Sequence, residues 1–216
     1  MFINREDAAR QLGQRLAGLQ LRDPIVLAIP RGGVVIGATL AKELDAELDV
    51  VLARKLRAPF QPELALGAVG EDGTAYVNPT VAAAAGADET YLAREQQRQS
   101  RAIAERRVRF RGGRSCTPPS GPARLPPHVG NCAGSPVIAA LHVVNSLDPL
   151  EVIVAVPVAP ADRLAVIKEH CDRVICLKAA DDFQAVGQYY ASFAPVEEED
   201  VATLLKQFQR TPADPQ

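Results

Sequence analysis

Ile25–Gly37, which reads IVLAIPRGGVVIG, is the stretch that most limits what this chain can become. Five apolar residues, Ile25 to Ile29, run into Pro-Arg-Gly-Gly, and a helix-competent apolar segment follows at once. An apolar run of this length, closed by Pro and Gly, reads as a buried parallel strand ending in a tight turn. Gly32 and Gly33 can adopt backbone conformations closed to other residues, so main-chain N–H groups are free to turn toward a ligand. A helix beginning near Val34 would aim its positive end at the same point. Arg31 adds a fixed charge with a planar fork of donors. Together these describe an anion site suited to phosphate or pyrophosphate. The plainer reading is an ordinary strand-to-helix turn with Arg31 facing solvent.

The flanking sequence favours the anion site. Asn4–Leu19 places Ala8, Leu12, Leu16 and Leu19 at helical spacing behind a polar cap at Asn4. A helix is expected over Val34–Leu44, and Leu48–Ala53 reads as a second strand that ends at Arg54 and Lys55. A right-handed crossover would set the two strands side by side in one parallel sheet. Their polar ends then share the edge where open α/β sheets bind ligands, so Arg31, Arg54 and Lys55 face one crevice.

Farther on, Leu64–Val69 and Thr74–Val77 read as a hairpin turning at Glu71-Asp72-Gly73. Ala82–Arg109 is expected to be a long helix or a broken pair, and Val137–Leu147 is an apolar stretch of helical character. Glu151–Val158 (EVIVAVPV) is the clearest strand of the chain. A helix at Arg163–Glu169, a strand at Asp172–Leu177 and an acid-capped helix at Glu197–Phe208 complete the pattern. This is an α/β chain, expected to form one domain over residues 1–210 with 211–216 as a disordered tail.

A net charge of −2 argues against a chain-wide nucleic-acid or membrane surface. The N-terminus has no apolar core of signal-peptide length, and no apolar run approaches the ~20 residues of a membrane span, so a cytoplasmic location is expected. Four cysteines follow no metal-ligand spacing. Cys171 and Cys176 read as small core residues. Cys116, His128 and Cys132 offer only an irregular zinc set. His142 and His170 are expected to be structural. No Ser/His/Asp or Cys/His arrangement stands out, so no catalytic residue and no protein metal ligand is assigned.

Four blocks carry a family likeness: AIPRGGVVIGATLAKEL, LDVVLARKLRAPFQPELALGAV, VIVAVPVAP and FQAVGQYYASF. In order and spacing they resemble a bacterial family of phosphoribosyltransferase-domain proteins of type I fold, over most of residues 2–114 and 137–208. The resemblance implies a parallel sheet flanked by helices, with a small flexible hood. It implies transfer of ribose 5-phosphate between phosphoribosyl pyrophosphate and a nitrogenous base with Mg²⁺, in nucleotide metabolism. By the same likeness, Pro30 with Arg31, Gly32 and Gly33 matches the pyrophosphate loop, and Arg54 and Lys55 the charged strand end beside it. Phe60–Asn78 matches a segment that covers the site, and Val158, Ala159 and Pro160 the border of the base. The acceptor base and the oligomeric state are not legible, although a homodimer is the commonest soluble assembly.

One part of the family pattern is missing. The signature is a short apolar strand, two acids and a Gly/Ala/Thr-rich loop that holds the ribose and its 5′-phosphate. Family order puts it between Arg114 and Ala139, where this chain reads SCTPPSGPARLPPHVGNCAGSPVI. Residues 115–136 hold six prolines and no acid pair, which excludes a central strand. Gly70–Ala75 (GEDGTA) and Asp181-Asp182 superficially resemble the signature without its helix or glycines. The right length with the wrong composition fits either a shifted reading frame or real divergence. Weak or absent binding of phosphoribosyl pyrophosphate is the expected result.

Two other functions compete. A non-catalytic regulator or RNA binder on the same fold would use Arg106–Arg114 (RRVRFRGGR), where five arginines surround Phe110. The plainer reading of that run is a solvated helix end. A hydrolase acting on a phosphorylated sugar would need clustered acids that the sequence does not offer.

Overall fold

The computed structural model describes residues 1–19, 21, 23–112 and 135–208. The first helix, α1 (Arg5–Leu16), starts where expected: the Asn4 side chain accepts from the Asp7 N–H at 2.9 Å. It buries Ala8, Ala9, Leu12 and Leu16. Strand β1 (Ile25–Ala28) is buried along its whole length, as a run of unbroken apolar character requires. Its Val26 and Ala28 side chains join α1 and α2 (Gly33–Glu43) in one core. Ile25, Leu27 and Ile29 face a second core with α5 (Ser135–Asn145). A strand packed on both faces is the mark of an α/β layer arrangement.

Helix α2 sits very close on β1 at Gly37. A Cβ there would lie 2.8 Å from the Ala28 Cβ and 3.1 Å from Leu48 Cδ1. Gly37→Ala is therefore expected to destabilise the fold by about 1–3 kcal/mol through overpacking. Urea unfolding measures this, and an alanine variant of unchanged stability would contradict so close a seat.

Strand β2 (Glu47–Val50) pairs in parallel with β1, as the crossover predicts. The expected strand Leu48–Ala53 is in fact two. Val51 still donates to the Ala28 carbonyl at 3.0 Å, but the Leu52 N–H turns to the Glu71 carboxylate at 3.1 Å. The chain thus leaves the parallel pair and begins β3 (Ala53–Arg57), which runs antiparallel to β4 (Ala65–Gly70). β4 pairs with β5 (Ala75–Val77) through the hairpin read from the sequence, with Gly73 at φ 84° in its turn. A buried ion cluster holds this junction. Arg111, at the end of the long helix α4 (Glu89–Arg111), donates to Asp49 at 2.9 Å and to both oxygens of Glu71, at 2.5 and 3.0 Å.

The long charged segment is the expected broken pair, a short α3 (Pro79–Ala84) before α4. β6 (Ile153–Pro160), α6 (Ala161–Lys168) and β7 (Arg173–Ala180) form a second parallel β-α-β unit. A single parallel sheet was expected. Among the described residues β1–β2 and β6–β7 are separate parallel pairs, and β3–β5 is a third, antiparallel sheet. The interval in which a joining strand was sought, 115–136, lies outside the described residues apart from its last two positions, where α5 begins. Cys116, His128, Cys132 and the tail 211–216 lie outside as well.

The chain closes on its own beginning. Phe2 bridges Tyr190 in parallel, with Phe2 donating to the Tyr189 carbonyl and accepting from Ala191, both at 2.8 Å. Helix α7 (Glu198–Gln207) then buries Val201 and Leu205 against the first core. No helix among the described residues is long and apolar enough to cross a membrane.

Candidate anion-binding site

The turn between β1 and α2 opens into a cavity of about 450 Å³. Six cations line it (Arg5, Arg31, Arg54, Lys55, Arg57 and Arg106), and no carboxylate lines it among the described residues. Gly32 and Gly33 lie at its floor, where α2 begins with no side-chain cap and no acid in its first turn. The unsatisfied N–H groups and the dipole of a helix start favour an anion at such a point.

Gly32 serves a different purpose from the one expected. Gly32 has φ −58° and ψ −25°, an ordinary helical conformation. Its need is for space: a Cβ there would lie 3.0 Å from Nε of Arg5. That guanidinium stacks 3.8 Å from the Phe193 ring centre and donates to the Ala194 carbonyl at 2.7 Å. Burial lowers the Arg5 pKa, a sign of a charge held partly away from water. The peptide between Pro30 and Arg31 is cis.

Arg54 and Lys55 reach the cavity from within the antiparallel strand β3, not from the end of a parallel one. Helix α4 braces them. Arg54 Nε donates to Gln99 at 2.7 Å, and Gln99 donates in turn to Glu95 at 2.8 Å. Glu95 also accepts the Arg57 N–H at 3.2 Å and a pair of bonds from Arg98. Burial alone would push Glu95 up, yet the hydrogen bonds from Arg98, Gln99 and Arg57 outweigh it and hold the carboxyl below its ordinary value. Burial lowers Arg54, and the neighbouring charges of Arg106 and Arg57 lower it further. A crowd of cations that repel one another is a site prepared for a counter-charge.

The opposite walls are largely apolar: Pro157, Val158, Val186, Tyr190, Phe193, Pro195 and Val196. Of the residues expected at the base border only Val158 lines the cavity; Ala159 is fully buried, and Pro160 ends β6 and caps α6. No residue of Phe60–Asn78 is among the lining residues; β4 and β5 continue the sheet from β3. Tyr190, which bridges to Phe2, and Phe193, Pro195 and Val196 just beyond it do line the cavity.

Two features offered for other functions are accounted for. Phe110 is buried in the first core, so it cannot stack a nucleobase. Arg106 and Arg109 pair with Glu198, and Arg111 belongs to the buried cluster. Arg106, Arg109 and Arg111 of that run thus carry acidic partners within the fold, while Arg109 remains half exposed and Arg114 lies outside the described residues. Burial pushes the Cys171 thiol up to about 11, and Cys176 upward too, so Cys171 is protonated at neutral pH and a poor nucleophile. His142 and His170 meet edge to face, 5.3 Å between ring centres.

Two proteins from two strains of Mycobacterium tuberculosis, each named "Putative phosphoribosyl transferase", are 38% identical over 210 residues, which is 97% of this chain. The chain belongs to that phosphoribosyltransferase family. It spans about half, 47%, of the length of these curated relatives. No family model matches. A crystal structure of a protein from Thermus thermophilus superimposes with a TM-score of 0.78 at 40% identity, covering 96% of this chain and 98% of that one. For a phosphoribosyltransferase-family chain, the cations missed in the sequence are Arg5, Arg57 and Arg106. Arg57 lies in the second family block, two residues past Lys55, and Arg106 in the arginine run read for a different role.

Proposed function

We propose that the cavity binds the pyrophosphate group of phosphoribosyl pyrophosphate, in the transfer of ribose 5-phosphate between that compound and a nitrogenous base on a type I phosphoribosyltransferase-like fold. One observation carries the reading. Six cations and an uncapped helix start, with no carboxylate among the described lining residues, face an apolar and aromatic wall across one cavity. In such a transfer the C–O bond from ribose to pyrophosphate breaks as a C–N bond to the base forms. Negative charge grows on the leaving oxygens while the ribose carbon becomes positive. Arg31, Arg54, Lys55 and the loop N–H groups would neutralise the leaving group, which requires no nucleophilic side chain. Tyr190, Phe193 and their apolar neighbours would shelter the base.

Mg²⁺, implied by the resemblance, finds no carboxylate, histidine or thiol among the described lining residues, and no cluster of three such groups occurs among the described residues. The lining suits phosphate oxygens and not a protein-held metal. The neutralisation above therefore rests on the chain's own cations.

Calorimetric titration tests the reading. Pyrophosphate is expected to bind. Phosphoribosyl pyrophosphate is expected to bind no more tightly, because residues 115–136 carry neither the acid pair nor the phosphate loop of the signature. Turnover, read as pyrophosphate release with a panel of bases, is expected to be slow. Absence of pyrophosphate binding would overturn the site. Micromolar binding of phosphoribosyl pyrophosphate with Mg²⁺, far tighter than pyrophosphate alone, would overturn the expected weakness.

A further inference from the structure

Three of the six cavity cations are held by one short stretch of chain. Arg5 donates to the Ala194 carbonyl at 2.7 Å, Arg31 pairs with Glu197 at 3.0 Å, and Arg106 pairs with Glu198 at 2.9 Å. The same stretch supplies Phe193, Pro195 and Val196 to the apolar wall. It is a strap laid across the site and tied to the groups that would meet an anion.

The ties are unequal. Arg5 is fixed by a neutral carbonyl and by stacking on Phe193. Glu198 is shared by Arg106 and Arg109, and its side chain is only 21% exposed. The Arg31–Glu197 pair is the loose one, with side chains 45% and 61% exposed. Water screens such a pair, and it contributes little to stability. Yet Arg31 is the charged residue of the turn at the helix start, where the anion reading needs a free guanidinium.

We propose that Glu197 is an internal stand-in for the ligand's anion. Phosphate or pyrophosphate takes Arg31 from Glu197, and the strap loosens at that point while Glu198 stays anchored to Arg106 and Arg109. A guanidinium accepts a carboxylate and a phosphate with the same planar fork, so the exchange needs no rearrangement of Arg31 itself. The second negative charge of the phosphate favours it over a single exposed carboxylate. The coupling works in both directions: whatever frees Arg31 from Glu197 tightens the anion, and the anion frees the strap. This inference rests on the anion-site reading given above.

The test uses inorganic pyrophosphate and the full chain. Glu197→Gln is expected to bind pyrophosphate about two- to fivefold more tightly than the parent chain, the size of one exposed ion pair. In the parent chain, saturating pyrophosphate is expected to speed cleavage by a glutamate-specific protease after Glu197. Equal affinities, or a cleavage rate that pyrophosphate leaves unchanged or lowers, would overturn the strap and leave the anion site standing. Failure of both proteins to bind pyrophosphate would overturn the anion site, and the strap with it.

Discussion

Arg111→Met is expected to destabilise the chain by about 3–5 kcal/mol, since it leaves two carboxylates without their partner in a buried setting. Arg111 is 5% exposed and bonds Asp49 and Glu71 together. Glu71 also accepts the Leu52 N–H, so the cluster holds the place where the chain passes from the parallel pair to the antiparallel sheet. The loss should depend on pH. Burial already raises Asp49 above its ordinary 3.8, against the opposing pull of Arg111. A carboxyl with a raised folded pKa lowers stability fully above that pKa and not at all below its unfolded value. Removing Arg111 raises Asp49 further, so the deficit is greatest at neutral pH and narrows on acidification toward the raised pKa. Urea unfolding across a pH series reads both quantities. A variant as stable as the parent, or a deficit that grows on acidification, would contradict this account.

Arg54→Ala should weaken pyrophosphate binding by about one to two orders of magnitude, the worth of a hydrogen bond to a charged group at roughly 1.5–3 kcal/mol. The guanidinium is held by Gln99, which Glu95 holds in turn, so little ordering is left to do when an anion arrives. Arg54 also lies close to Arg106 and Arg57, and a bound anion relieves that repulsion. Pyrophosphate should therefore raise the melting temperature of the parent chain strongly and of the variant weakly. The shift is compared within each protein, because loss of Arg54 leaves the buried Gln99 oxygen without its donor and lowers the starting value. Equal shifts in the two proteins would remove Arg54 from the site.

The strand, turn and helix around Arg31 were legible because their signals are local: an apolar run, two glycines, then helical spacing. The hairpin at Gly73 and the helix capped by Asn4 were legible for the same reason. The errors arose where a distant group decides the outcome. Leu48–Ala53 looks like one strand until Glu71 draws off the Leu52 N–H. Arg54 and Lys55 were assigned to the right cavity on the wrong element. Nothing near Arg5 in the sequence indicates that it will lie over Gly32, because Phe193 and Ala194 set it there. The run at Arg106–Arg114 invites a nucleic-acid reading, since no local pattern shows that Glu198 will pair with Arg106 and Arg109.

The hydrogen bond from Arg5 to Ala194 spans 189 positions of the sequence. Contacts of such separation form late, because a long loop must close before they yield any gain. During synthesis the β1–α2 turn and the arginines of β3 emerge long before the segment that covers them. The cavity therefore passes through a stage in which its cations stand open, without Glu197, Glu198 or the aromatic wall. Nascent chains halted before residue 193 should bind polyanions more strongly and with less discrimination than the finished protein.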